Sequence, residues 1–185
     1  SGRRKSSGET MPRAMMRASL LSFFLVVAFV PVAVAQQTVY ASATNCPGPG
    51  DGSPGNPFCK IQDAICHLKN ALPAGGTVLV RPGTYNEAIR IFNGISVVST
   101  DGPAVTILNA TGKPCITATC TAATGTQCTA IQATSVSGVG PTTADRIEGF
   151  HIVGGKGYVW TTGTISSVGG GIFVWGNSSP TITRN

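Results

Sequence analysis

From residue 77 onward the sequence is a succession of short apolar runs, each broken by Gly, Pro or Asn: 77–80, 88–92, 95–99, 105–108, 115–118, 129–133, 146–153, 171–175 and 181–183. Each run is about as long as one β-strand, and their close spacing leaves no room for crossover helices. Two all-β arrangements remain. A sandwich needs hairpin turns and clean alternation, yet Asn93-Gly94 is the only strong two-residue hairpin signal between apolar runs, and it fits the corner of a coil equally well. A solenoid of stacked rungs accounts for more. Ile107, Ile131, Ile152 and Ile172 follow at gaps of 24, 21 and 20 residues, near the length of one rung. A rung cannot bury its own apolar face without a neighbour. The expectation is therefore that these four Ile stack into one buried ladder.

Only one segment of the strand-rich part has helical periodicity. Ile61, Ile65, Leu68 and Leu72 recur at spacings of four, three and four, the stripe of an amphipathic helix. Asn56 before Pro57 offers a cap for its start, and Pro73 with Gly75-Gly76 stops it. A lone helix ahead of many strands is expected to cover an exposed sheet end. Upstream, 37–43 alternates like a short strand and 46–57 is a Pro/Gly/Asn/Asp loop.

Residues 19–35 contain no charge, follow Arg13 and Arg17, and end in Ala33-Val34-Ala35. A basic segment, an apolar segment and a small-x-small site make a signal peptide, with cleavage before Gln36. A membrane anchor is the alternative, since the run approaches bilayer-spanning length. Met11, Met15 and Met16 place residues 1–10 upstream of the start. The division expected is 1–17 basic and upstream residues, 18–35 apolar segment and cleavage site, 36–75 strand, loop and capping helix, and 76–185 rungs.

Charge agrees with this division. The formal net charge of +6 sits mainly in residues 1–17, with five Arg/Lys against one Glu. From Gln36 there are eight Lys/Arg and six Asp/Glu. Nucleic-acid binding needs basic residues clustered on the folded part, so nucleic acid is not an expected partner.

All six cysteines, Cys46, Cys59, Cys66, Cys115, Cys120 and Cys128, follow the cleavage site, which suits structural disulfides in an oxidising compartment. Three per cluster requires at least one bridge between clusters. If Cys59 and Cys66 share a helix, their Cα atoms are about 10 Å apart, beyond disulfide reach. The expected pattern joins Cys46 to one of these two and Cys120 to Cys128, with Cys115 taking the remainder.

Gly52-Ser53-Pro54-Gly55-Asn56-Pro57-Phe58, Ile61-Gln62-Asp63-Ala64-Ile65, and Thr77-Val78-Leu79-Val80-Arg81-Pro82-Gly83-Thr84-Tyr85 with Glu87 resemble the N-terminal cap and first rung of pectin-lyase-like proteins. Ile147-Glu148-Gly149-Phe150-His151-Ile152-Val153-Gly154-Gly155, Gly169-Gly170-Gly171-Ile172-Phe173-Val174 and Ser178-Ser179-Pro180-Thr181-Ile182 resemble the repeats of the same superfamily. The resemblance covers most of residues 38–185 and implies an all-β, right-handed parallel β-helix, with the last rung unfinished at Asn185. Fold does not fix function. The superfamily includes pectate lyases, polygalacturonases, pectin methylesterases and non-catalytic surface proteins. Calcium enters only by that analogy, and no other cofactor is expected.

Glycan chemistry on such a fold uses carboxylates, or an Arg base with carboxylate-bound calcium, on one outer face. Asp145, Arg146, Glu148 and His151 are the densest constellation. Arg146 and Glu148 share a strand face opposite Ile147, which also describes a surface ion pair of little energy. His151 is expected to face solvent. Tyr158, Trp160 and Trp175 are candidate sugar contacts, with core packing the competing role. Asp51-Gly52 and Asp101-Gly102 read as turns, Asp63 as a helix surface residue and Glu87 as a post-turn residue. Asn109-Ala110-Thr111 and Asn177-Ser178-Ser179 match the glycosylation sequon. The expectation is an exported, glycan-binding surface module with no catalytic site in these residues; the alternative is the N-terminal part of a polysaccharide-active enzyme.

Overall fold

A computed structural model describes Gly2 and residues 36–71, 75–157 and 170–185. The proposed signal peptide, Leu72, Pro73, Tyr158 and Trp160 lie outside the described residues. The elements run β1 (Gln37–Ala41), α1 (Ile61–Ala71), β2 (Gly76–Val80), β3 (Gly83–Tyr85), β4 (Ile89–Ile91), β5 (Ile95–Ser99), β6 (Thr106–Asn109), β7 (Pro114–Ile116), β8 (Ala122–Gln127), β9 (Ile131–Thr134), β10 (Arg146–Glu148), β11 (His151–Val153), β12 (Ile172–Trp175) and β13 (Thr181–Thr183).

From β2 onward the chain visits three parallel sheets in rotation. The first has the order β1-β2-β5-β10-β13, the second β3-β6-β11 and the third β4-β9-β12. Side chains alternate across each strand, so every second residue turns inward: Val78 and Val80, Ile89 and Ile91, Val97, Leu108, Ile131 and Ala133, and Ile147 are each 0% exposed. Parallel register then stacks like upon like. Val39, Val78, Val97 and Ile147 form one ladder, Tyr85, Leu108 and Ile152 a second, and Ile89, Ile131 and Ile172 a third.

These registers overturn the single ladder expected of Ile107, Ile131, Ile152 and Ile172. Ile131 and Ile172 do stack, in the third sheet, whereas Ile152 belongs to the second. Ile107 turns outward between Thr84 and His151. Circuit length is the reason. Val78 to Val97 is a step of 19 residues, but Val97 to Ile147 is one of 50, so a constant period of 20 to 24 mixes sheets.

Much of the excess is an insertion between β6 and β9. The run 115–118 is not a rung strand: β7 and β8 pair antiparallel as a hairpin outside the three sheets. The Asn93-Gly94 pair is a corner, between β4 in the third sheet and β5 in the first. Gly75 meets it there with φ +79, and a Cβ on Gly75 would overlap the Gly94 carbonyl. Only glycine fits that approach.

Helix α1 buries Ile61, Ala64, Ile65 and Leu68 against β1, β2, β4 and β5, closing one end of the apolar core as its stripe predicts. Its first turn is not capped by Asn56, which lies too far upstream and receives the Asn45 amide instead, at 3.4 Å. The helix amides of Ile61 and Gln62 donate to the Glu87 carboxylate at 2.9 and 3.0 Å.

The disulfides are Cys46–Cys59, Cys66–Cys120 and Cys115–Cys128. Cys46 does take one of the pair Cys59 and Cys66, those two do not join each other, and one bridge spans the clusters. The expected Cys120–Cys128 bond is replaced. Pro114 lies opposite Gln127 in the hairpin, which sets Cys115 against Cys128 at its base and leaves Cys120, in the connection, to reach α1. Among the described residues no helix is long and apolar enough to cross a membrane.

Candidate functional site

The constellation Asp145, Arg146, Glu148 and His151 does not converge. Asp145 is 4% exposed and holds a corner, accepting the backbone N–H groups of Gly94 at 3.2 Å and Thr142 at 2.7 Å. Glu148 lies at the other end of β10. His151 follows a turn of the chain into the second sheet and faces solvent, as expected.

Arg146 and Glu148 do share the face opposite Ile147, and they pair. The pair is not the surface contact expected, because Glu148 is 1% exposed. Its second oxygen meets Arg184, which the register of β10 with β13 brings alongside. Two guanidiniums therefore close over one buried carboxylate, where breaking a pair costs far more than at the surface. A cleft of about 260 Å³ opens beside it, lined by residues 99–103, Glu148, Gly149 and Arg184.

Of the aromatic candidates, Trp175 is 55% exposed and its ring lies nearly parallel to that of Phe173, with centroids 6.3 Å apart. The two share a strand face, as alternation requires. Asp51 makes the expected turn: its side chain accepts the Ser53 N–H at 2.8 Å, and the Ser53 hydrogen bonds hold the carboxyl below its usual range.

The more built site lies where α1 begins. Glu87 is no ordinary post-turn residue. Desolvation pushes its carboxyl up to about 7, against the lowering effect of the Gln62 and Ile61 amides that it caps. Two residues earlier, the Tyr85 hydroxyl donates its one proton to the Arg81 carbonyl at 2.8 Å, with the Ala41 carbonyl a second acceptor within reach at 3.2 Å, and burial raises it to about 12. The Gln62 side chain ties the helix to β4 by accepting the Arg90 N–H at 2.7 Å.

Around Glu87 lie two hollows that share Lys60, Asn86 and Glu87 as walls. One, of about 350 Å³, is bounded by Asp63 on the helix and Lys113, Pro114, Ile116 and Cys120 of the hairpin. The other, of about 300 Å³, is bounded by Thr84, Tyr85 and the Cys46–Cys59 bridge. Sequence reading missed this groove because it needs Cys120 joined to Cys66, and no local pattern carries that pairing. Among the described residues no three His, Cys, Asp or Glu side chains gather as a metal site. Compared with protein-family models, with curated proteins and with solved structures, the chain shows no significant match to any of them.

Proposed function

We propose that this chain is an exported right-handed parallel β-helix of the pectin-lyase-like kind, whose surface binds polysaccharide without doing chemistry on it. The observation that carries the reading is the rotation through three parallel sheets, β2-β3-β4, β5-β6-β9, β10-β11-β12. Parallel strands joined by such crossovers are right-handed in nearly all known cases, which supports the hand. Export is supported by the apolar leader and by three disulfides, which persist in oxidising compartments.

The non-catalytic part of the reading rests on how three of the acids are used. Asp145 is consumed by backbone amides, Glu148 by two arginines and Glu87 by a helix terminus. A pair of carboxylates set for acid–base work on a glycosidic bond would flank one cleft with free oxygens. The test is to incubate the purified protein with polygalacturonate and with neutral plant polysaccharides, following binding and products together. Retention on at least one polymer is expected, with no unsaturated ends, new reducing ends or released methanol. Turnover that disappears in Glu148→Gln while the variant still holds the polymer would replace this reading with a polysaccharide-active enzyme.

A further inference from the structure

We propose that the groove between the start of α1 and the β7–β8 hairpin binds a neutral oligosaccharide, an assignment of place and ligand class that rests on the glycan reading above. Its size fits. Each of the two adjoining hollows, about 350 and 300 Å³, falls in the range of small-ligand sites.

Its walls are fixed before any ligand arrives. Cys66–Cys120 ties the helix to the hairpin, Cys115–Cys128 closes the hairpin base, and Cys46–Cys59 borders the second hollow. Rigid walls spare the ordering cost that binding otherwise carries.

The lining selects the ligand. Lys60 and Lys113 bring two positive charges against the Asp63 carboxylate, while the Glu87 carboxyl, raised to about 7, is only part-ionised at neutral pH, so the net field of the groove is weakly positive and favours a polyanion only slightly. Closely spaced donors and acceptors suit the vicinal hydroxyls of a sugar. Asn86 is placed to add to them: its carbonyl oxygen accepts the Asn109 amide at 3.1 Å, while its own NH₂ bonds no other described residue. Pro114 and Ile116 supply an apolar wall on the hairpin side for the C–H face of a ring. By contrast, the cleft beside Glu148 holds a carboxylate already taken up by two guanidiniums.

Isothermal titration of the full secreted chain with hexasaccharides of glucose, xylose and mannose, and with hexagalacturonate as the acidic arm, tests this. A neutral hexamer is expected to bind, and Lys113→Ala and Asp63→Ala each to weaken it at least tenfold with the melting temperature unchanged. Asn86→Ala provides a third variant should either of these unfold. Asp101→Ala, in the other cleft, is expected to bind as the parent does. Binding of the acidic hexamer alone would overturn the ligand class. Unaltered binding in all the groove variants would overturn the place and leave the glycan reading standing. A chain that holds no polymer in the earlier assay removes the glycan reading itself.

Discussion

The two ends of the strand stack are made of the same residue types and stand in different surroundings. At the first end Val78, Ile89 and Ile91 are 0% exposed beneath Ile61, Ile65 and Leu68 of α1. At the second, Ile182 continues the ladder of Val78, Val97 and Ile147 yet is 43% exposed, and Val174, beside Ala133, is 37% exposed. Alternation places all of these side chains inward. Only what packs over them decides whether that burial stabilises the fold. The covalent ties are equally lopsided, since all three disulfides lie around the helix and the hairpin.

The sharpest way to break this comparison is to cut the tie that holds hairpin to helix. Cys66 and Cys120 are 54 residues apart in sequence, a loop whose closure in the unfolded chain is worth about 4 kcal/mol on entropic grounds, against about 3 kcal/mol for a 13-residue loop. The double variant Cys66→Ala/Cys120→Ala is expected to lose more stability in urea titration than Cys46→Ala/Cys59→Ala. Equal losses would mean that the long bridge constrains little.

Next in size is a matched pair of core truncations. Ile89→Ala, between the helix and Ile131, is expected to cost about 3 kcal/mol, within the usual range for a fully buried isoleucine. Ile182→Ala is expected to cost under about 1 kcal/mol, since much of that side chain already meets water. Denaturant midpoints at constant slope measure both. A large loss at Ile182 would show that the second end is packed more tightly in solution than its exposure implies.

A third effect is confined to the first end and to pH. The Glu87 carboxyl, raised from an ordinary 4.5 to about 7 by burial, keeps its proton in the fold over a range where the unfolded chain has lost it. Stability is therefore fully present below about 4.5 and declines as pH rises toward about 7, by at most roughly 1.4 kcal/mol per pH unit. Lys60 acts against the shift and Asp63 with it. Glu87→Gln is expected to flatten that slope in thermal melts across the interval. A slope that survives the substitution would assign the titration elsewhere.

What was legible in the sequence follows physical range. The helix appeared because Ile61, Ile65 and Leu68 repeat within one element. The pairing of Arg146 with Glu148 appeared because alternation acts over two residues. The buried state of Glu148 did not appear, because its second partner, Arg184, lies 36 positions away and arrives only when β13 registers on β10. The capping role of Glu87 was hidden for the same reason: the amides it binds belong to residues 61 and 62, and the nearer Asn56 looked sufficient.

By itself, then, the sequence determined the pieces: strands of a few residues, corners at glycines such as Gly94, one amphipathic helix, and a cysteine count that required a bridge between clusters. Each of these depends on residues close enough along the chain to act within one element. Tertiary structure alone decided which strand lies on which, that residues 114–127 leave the stack as a hairpin, which cysteines meet, and that a groove forms around Glu87. Those outcomes depend on register summed over circuits of unequal length. A step of 19 residues followed by one of 50 leaves no period from which the partners can be read.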